Sequence, residues 1–325
     1  MRRQNSAVVI MGPTGAGKSA LALELAQALN GEIITADSRQ IYAGMDIGTE
    51  KPGRRTLGVG KSDEPILVAG IPHYLLDILT PDQQYSAAAF RDDAEQLIAD
   101  IRRRRKLPIV VGGTGFYVRV LTSHRSLPDV PPDSAFRAWA ETQSVETLAR
   151  ELKALAPDLY ARVDQVRNKR RVIRALEIAR AGSSGVHEAP SGQSAPPVRF
   201  LKLALVPPPE VLRERLTSRV EEEFRHGFVE EVRRLVQQYG ESAPGLQAVG
   251  YRQVLPYLRG ETTLAETTRA VLRAHREYAR RQQTWLKGEP ELVRVASAAE
   301  ARRVITDVLQ RKNSGQNDVR PESPP

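Results

Sequence analysis

The chain has 325 residues, enough to bury a substantial core as one large domain or two smaller ones. It has no cysteine, and its five histidines show no paired ligand spacing, which excludes disulfides and thiolate metal sites and argues against structural zinc. The net charge is +9 and no apolar stretch approaches the roughly 18 residues of a membrane span, so a cytoplasmic protein with no membrane attachment is expected.

In chain order, the Arg2-Arg3 pair precedes only a short apolar run, Ala7 to Met11, which leads directly into a glycine-rich loop and so is unlike a secretory signal. That run predicts a strand, and the pattern from residue 18 to 29 predicts a helix. Between them stand Gly12, Pro13, Thr14, Gly15, Ala16, Gly17, Lys18 and Ser19, a full G-x-x-x-x-G-K-[ST] loop in the context the motif needs. The glycines let backbone N–H groups converge on phosphate oxygens, the helix N-terminus adds positive potential, Lys18 supplies a point charge and the Ser19 hydroxyl can hold Mg²⁺. The alternative is a glycine-rich turn that binds nothing. A phosphorylated ligand follows from the loop, but not which one.

Further runs at Glu32 to Ala36 and Ile109 to Val111 predict strands, with a helix near 86–105 between them. Strand–helix alternation implies α/β architecture, a P-loop NTPase-like parallel sheet flanked by helices. Phe200 to Val206, ending at Pro207-Pro208-Pro209, is expected to return to the same sheet. Residues 127–134 read as a linker and 182–198 are rich in Gly, Ser, Ala and Pro, which leaves a helical insertion between them. The expected divisions are therefore a core at 1–126, an insertion at 127–197, a mainly helical return at 198–311 and a disordered tail at 312–325.

The positive charge is concentrated. Residues 162–180 hold seven Lys or Arg against two acids and residues 269–287 hold six against one, so the two windows carry +5 each. On a helix, Arg167, Arg170, Arg171 and Arg174 share a face opposite Val172, Leu176 and Ala179. Arg269, Arg273, Arg276 and Arg280 repeat the arrangement opposite Val271, Ala274, Tyr278 and Trp285. Guanidinium groups pair well with phosphate, and a polyanion gains affinity through counterion release, so nucleic acid is the expected partner; an ordinary solvated face is the alternative.

P-loop enzymes that hydrolyse nucleotides end a second strand in an acid that organises Mg²⁺, whereas Pro108-Ile109-Val110-Val111 here runs into Gly112-Gly113-Thr114-Gly115. An acid appears instead at Asp37, directly after the strand Glu32 to Ala36. If the strands are parallel neighbours, Asp37 reaches the carboxyl edge of the sheet near the phosphate loop, where it can accept a proton from a nucleophile. A turn or helix cap is the other reading of an Asp at such a place.

The phosphate loop, Ala36-Asp37-Ser38-Arg39-Gln40-Ile41-Tyr42, Met45-Asp46-Ile47-Gly48-Thr49, Ile71-Pro72-His73, Val111 to Tyr117, Arg174-Ala175-Leu176-Glu177, Val249-Gly250-Tyr251-Arg252 and Arg281-Gln282-Gln283-Thr284-Trp285 stand in one order from residue 12 to about 287. This ordered set resembles the tRNA dimethylallyltransferases. The resemblance implies transfer of a dimethylallyl group from its diphosphate to N6 of the adenosine 3′-adjacent to the anticodon, with release of diphosphate. It implies Mg²⁺ as cofactor, dimethylallyl diphosphate and a tRNA anticodon stem-loop as partners, and a monomer is expected. By the same resemblance Lys18, Asp37, Thr114 and Arg219 are the catalytic candidates, with Asp37 taking the amine proton and Arg219 on the diphosphate. For Arg219, a surface arginine paired with Glu221, Glu222 or Glu223 is the alternative.

The resemblance also implies tRNA contacts at Asp37, Ser38, Arg39, Gln40 and Thr114, at Arg137, Lys169, Arg170 and Arg171, and at Gly250, Tyr251 and Arg252. A last group comprises Arg280, Arg281, Gln282, Gln283, Thr284, Trp285, Leu286 and Lys287. Four departures accompany it: a longer stretch at 53–65, Tyr74 where a second His is common, Arg167-Asn168 where Asn-Asp is usual, and His275 where Thr is common. The competing readings are a P-loop kinase acting on a small acceptor and a non-catalytic RNA-binding protein switched by its phosphate loop.

Overall fold

The computed structural model describes residues 6–55, 58–123, 128, 130–163, 166–182 and 198–311. The tail expected at 312–325, most of the Gly/Ser/Pro-rich stretch and both expected ends of the insertion lie outside these residues. The chain divides into two compact units, one of residues 1–122 with 195–325 and one of residues 123–194.

The larger unit begins with β1 (Ser6–Met11), α1 (Lys18–Leu29), β2 (Gly31–Thr35), β3 (Ile66–Val68), β4 (Ile71–Tyr74), α2 (Ala87–Arg103), β5 (Leu107–Gly112) and α3 (Gly115–Thr122). The smaller unit holds α4 (Ser134–Thr142), α5 (Val145–Leu155), α6 (Pro157–Arg162) and α7 (Lys169–Arg180). The larger unit resumes with β6 (Arg199–Leu205), α8 (Pro209–Arg225), α9 (Phe228–Tyr239), α10 (Tyr251–Leu258), α11 (Leu264–Lys287), β7 (Leu292–Val295) and α12 (Ala298–Arg311).

Seven strands form one sheet in the order β3-β4-β2-β5-β1-β6-β7, all parallel except β3, which pairs antiparallel with β4. The central strands are covered on both faces, which is why β1 and β5 read as unbroken apolar runs without alternation. Val9, Ile34 and Val110 face one layer with Phe90, Leu97 and Ile98 of α2, while Val8, Ile10, Ile33 and Ile109 face Leu21, Ala22 and Leu25 of α1. Two charges are buried on the inner strands: Lys202 of β6 pairs with Glu289 at 2.9 Å, and Glu32 of β2 is held by Arg104, by Lys106 and by the Tyr74 hydroxyl at 2.9 Å. Tyr74 thereby has a structural task of its own.

One expectation needs correction: β2 is not the neighbour of β1, because β5 lies between them. The region after Val206 is mainly helical, as expected, and also contributes the edge strand β7. The β3–β4 hairpin was not expected from the pattern either, since β4 carries Pro72 and β3 is only three residues long.

In the smaller unit, Ser144 caps α5 and Asp133 caps α4, each accepting a backbone N–H three residues on. Phe136, Leu148, Leu152, Val172 and Leu176 form its core. Glu177 is buried there and accepts two bonds from Arg137, one from Arg174 and one from the Asp133 amide. These bonds hold its carboxyl below the usual range against the opposing effect of burial.

The parallel sheet brings β5 against the end of β2 so tightly that a Cβ on Gly112 would lie 2.0 Å from the Ala36 carbonyl oxygen. Backbone cannot give way there as a side-chain end can. Gly112→Ala is expected to destabilise the protein by about 1–3 kcal/mol, the cost of overpacking, seen as a lowered midpoint in thermal or denaturant unfolding.

Candidate active site

Parallel strands point their carboxyl ends to one edge, and the loops after β1, β2, β5 and β6 meet there. After β1, the phosphate loop turns with Gly15 at φ 75° and Gly17 at φ 92°, values that glycine adopts without strain. Gly12 lies so close to the Leu205 carbonyl that a Cβ would be 2.3 Å from it. The Pro13 carbonyl accepts a bond from Lys18 Nζ at 2.8 Å, and the Ala16 carbonyl one from Arg215 at 3.0 Å.

After β5, Thr114 caps the turn into α3 and its Oγ1 accepts the Ser38 amide at 3.0 Å. This ties the loop after β5 to the loop after β2. Asp37 Oδ1 accepts the Arg39 amide at 2.9 Å, so one oxygen shapes the turn while Oδ2 accepts no bond from a described residue. The turn and the proton acceptor, posed as alternatives by the sequence, are thus compatible in one carboxylate. Arg39 donates to the Pro244 carbonyl at 3.1 Å and Gln40 to the Thr49 carbonyl at 2.9 Å, which orients the segment after Asp37.

Arg219 is buried and its guanidinium makes four hydrogen bonds. It donates from Nε to Glu223 at 2.7 Å, from Nη1 to Thr14 Oγ1 at 2.7 Å and to Glu50 at 2.6 Å, and from Nη2 to the Gly48 carbonyl at 3.1 Å. The Met45 to Lys51 segment is in turn held by Glu231, which accepts the amides of Asp46, Ile47 and Gly48 and the Tyr251 hydroxyl at 2.6 Å. Arg219 therefore points at the phosphate loop and is not a surface arginine.

Helix α11 contributes Gln282, whose Oε1 accepts the Thr14 amide at 2.8 Å and whose Nε2 donates to the Gly113 carbonyl at 2.8 Å. Its side chain thus joins the loops after β1 and β5. Burial, then Asp37, push the Tyr278 hydroxyl up to about 12. Sequence reasoning grouped Gln282 with RNA contacts and Tyr278 with the apolar face; neither the spacing nor the residue type signals a place beside the phosphate loop.

Several predicted contacts are placed otherwise. Tyr251 is fully buried, with its hydroxyl spent on Glu231, and Leu286 is also buried, so neither side chain presents itself to RNA. Gly250 makes the turn into α10 at φ 92°, and Arg252 is exposed. In the smaller unit Arg137 and Arg174 are committed to Glu177, and Lys169 donates to the Glu141 carbonyl, while Arg167, Arg170 and Arg171 lie on exposed positions. On α11, Arg269, Arg273, Arg276, Arg280, Arg281, Thr284 and Lys287 are exposed, and Gln283 and Trp285 partly so. Arg280, Gln283, Thr284 and Lys287 share a face, and with Val206 and Arg294 of β7 they line a cavity of about 260 Å³. Its cations Arg280, Lys287 and Arg294 have no bonding partner among the described residues, and no acid lines it.

Ser19 is exposed in the first turn of α1, and its hydroxyl is unbonded among the described residues, where no three His, Cys, Asp or Glu side chains converge. That donor set fits a Mg²⁺ ion shared with phosphate oxygens and does not fit an all-protein cage.

Lys18 is lowered to about 8 by burial, with Asp37 opposing, Arg219 assisting and Glu50 opposing. A lysine at that value is charged below about pH 8 and loses its proton as pH rises through it. Affinity for inorganic diphosphate is expected to fall above that pH with proton uptake on binding, and Lys18→Arg to remove that part of the dependence. Calorimetry from pH 7 to 9.5 in buffers of different ionisation enthalpy measures both.

Residues 40–289 match the family model described as IPP transferase. A tRNA dimethylallyltransferase of Thermomicrobium roseum is 41% identical over 292 residues, covering 88% of this chain and 85% of that protein. Among solved structures, a tRNA isopentenylpyrophosphate transferase of Bacillus halodurans is 32% identical with a TM-score of 0.69, covering 95% of this chain and 98% of that one. A eukaryotic dimethylallyltransferase acting on tRNA is 25% identical with a TM-score of 0.72, over 94% of this chain and 80% of that one. With a matching family model over most of its length and relatives above this level of identity, the chain belongs to the IPP transferase family.

Proposed function

We propose that this chain transfers a dimethylallyl group from dimethylallyl diphosphate to N6 of the adenosine 3′-adjacent to the tRNA anticodon. The observation that carries the reading is the meeting of two half-sites at one sheet edge: a cationic cradle on the loop after β1, and a carboxylate with a free oxygen on the loop after β2. Such a pair fits a reaction that places charge on a leaving diphosphate while an amine loses a proton.

In the reaction the bond between the allylic carbon and the diphosphate oxygen breaks, the N6 lone pair forms the new C–N bond, and the N6 proton passes to Asp37. Lys18, Arg219 and the loop amides stabilise the diphosphate as its negative charge grows. Thr114 holds the Ser38 amide and so fixes the turn that carries Asp37. Ser19 would hold a Mg²⁺ ion, which would supply further charge neutralisation at the diphosphate. The purine amine is a poor nucleophile because its lone pair is delocalised, so removal of its proton by Asp37 is essential.

The target base must leave the anticodon-loop stack, at a cost of about a few kcal/mol. Phosphate contacts from Arg269, Arg273, Arg276 and Arg280, together with Arg294 and Lys287 in the cationic cavity, offset that cost. Arg170, exposed in the smaller unit, is a further cation suited to a phosphate backbone. A kinase acting on a small acceptor is not favoured, because such a substrate gives no use to these cations.

Incubation with unmodified tRNA, dimethylallyl diphosphate and Mg²⁺ is expected to add a dimethylallyl mass to adenosine by nucleoside mass spectrometry; ATP turnover without that gain would support the kinase. Asp37→Ala is expected to lower transfer by about 10²- to 10⁴-fold while tRNA affinity is retained. Arg280→Ala and Arg294→Ala are each expected to weaken tRNA binding and reduce the slope of log affinity against log salt by about 1, measured by filter binding.

A further inference from the structure

Of the acceptors around Arg219, two differ sharply in what they can do. The Glu50 side chain is about half exposed at 53%, whereas Glu223 is 3% exposed and sits four residues along the same helix, one turn from Arg219. An exposed partner competes with water for the guanidinium; a buried one does not. The Nε bond to Glu223 also fixes the plane of the guanidinium, and the plane decides where the two Nη groups point.

Glu223 has a second peculiarity. Its Oε2 has no hydrogen-bond partner among the described residues, and neither has either ring nitrogen of His275, although all three atoms are buried. The His275 Nε2 lies 3.7 Å from that oxygen. Unpaired polar atoms in a protein interior are costly, and three in one place call for an explanation. At 3.7 Å the two atoms are not bonded; while the imidazole proton is on Nδ1 both are acceptors, and a proton on either Nε2 or Oε2 supplies the donor.

We propose that Glu223 is the positioning residue that aims Arg219 at the diphosphate, and that a proton received between Glu223 and His275 releases that hold. The reading rests on the diphosphate site proposed above and adds the device that aligns it. When Glu223 Oε2 takes a proton from solvent, it becomes a donor to His275 Nε2, which satisfies both atoms after a small approach. The carboxyl is then neutral, and the hold on Arg219 weakens from an ion pair to a bond between a cation and a neutral acceptor.

Groups facing Glu223 come from every element packed on it. Arg219 lies on its own helix, Glu50 on the loop after β2, Glu231 on α9 with the Tyr251 hydroxyl of α10 bound to it, and His275 on α11. Burial pushes Glu223 up to about 7, with Glu50 and Glu231 adding to it and Arg219 opposing. Burial, then Arg219, push His275 down to about 3, so the shared proton resides on Glu223. Glu223 is charged above about pH 7, and its hold on Arg219 weakens as pH falls through that value.

The sign of one substitution tests the positioning role. Glu223→Gln removes a negative charge near the diphosphate, which by Coulomb attraction alone tightens binding. A positioning role demands the reverse. Calorimetry with inorganic diphosphate and Mg²⁺ from pH 6 to 8.5 is expected to show affinity weakened by about 10- to 100-fold in Glu223→Gln at pH 8, without the loss through pH 7 seen in the unaltered protein. His275→Thr supplies a hydroxyl that donates to Oε2 and favours the charged carboxylate, so the loss is expected to shift to lower pH. Tighter or unchanged binding in Glu223→Gln, or an unshifted profile in His275→Thr, overturns the proposal. Should Glu223→Gln fail to fold, Glu223→Asp takes its place: it must keep a pH-dependent loss, and a flat profile overturns the proposal. Because the readout is diphosphate binding and needs no tRNA, failure of the transfer reading leaves a separate trace.

Discussion

The site depends on one close approach. Gly112, at the end of β5, lies against the Ala36 carbonyl at the end of β2, with no room between them for a single carbon. That contact sets the loop carrying Thr114 against the turn carrying Asp37, and the Ser38 amide bond to Thr114 locks the two together. β5 also separates β2 from β1, so the carboxylate and the phosphate loop stand two strand positions apart, about 10 Å at ordinary strand spacing. A leaving group and the proton acceptor for its replacement need such a separation, because a reacting carbon and an amine must fit between them.

Around this frame the charges are graded by depth. Lys18 and Arg219 are cations drawn out of water, the first held by a carbonyl and the second by two carboxylates. Outward along α11 the cations are exposed, and those of the cavity beside β7 have no partners among the described residues. Deep cations of this kind suit a small ligand that is stripped of water, while the exposed ones suit a long polyanion that stays hydrated.

Much of this was legible in the residues, and unevenly so. Ala7 to Met11 and Ile109 to Val111 announced their strands because strands covered on both faces are apolar throughout, and Phe200 to Val206 did so despite Lys202, which is buried against Glu289. β3 and β7 are short edge strands with exposed positions, and edge pairing leaves little compositional trace. Strand order was not readable, so Asp37 was placed beside the phosphate loop through the wrong neighbour. At the site, the phosphate loop spoke for itself because every residue in it has a local backbone task. Arg219 and Glu223 did not, since Glu221, Glu222 and Glu223 look alike until the helix buries one of them. Tyr251 misled for the opposite reason: the resemblance set it among the RNA contacts, yet its ring is core and its hydroxyl belongs to Glu231.

Gln282 ties the outside of α11 to the floor of the site. Its amide is fastened at both ends, to the Thr14 amide and the Gly113 carbonyl, so this one residue fixes the rotation of a 24-residue helix about its axis. Each residue of an α-helix turns the chain by about 100°. Inserting or deleting one residue between Arg276 and Gln282 would swing every arginine upstream through that angle, away from solvent or out of line with its neighbours. The length of α11 is therefore as tightly constrained as any side chain in the site: in an evolving lineage or a designed variant, the identities of its outward residues are free to drift, but their number is not.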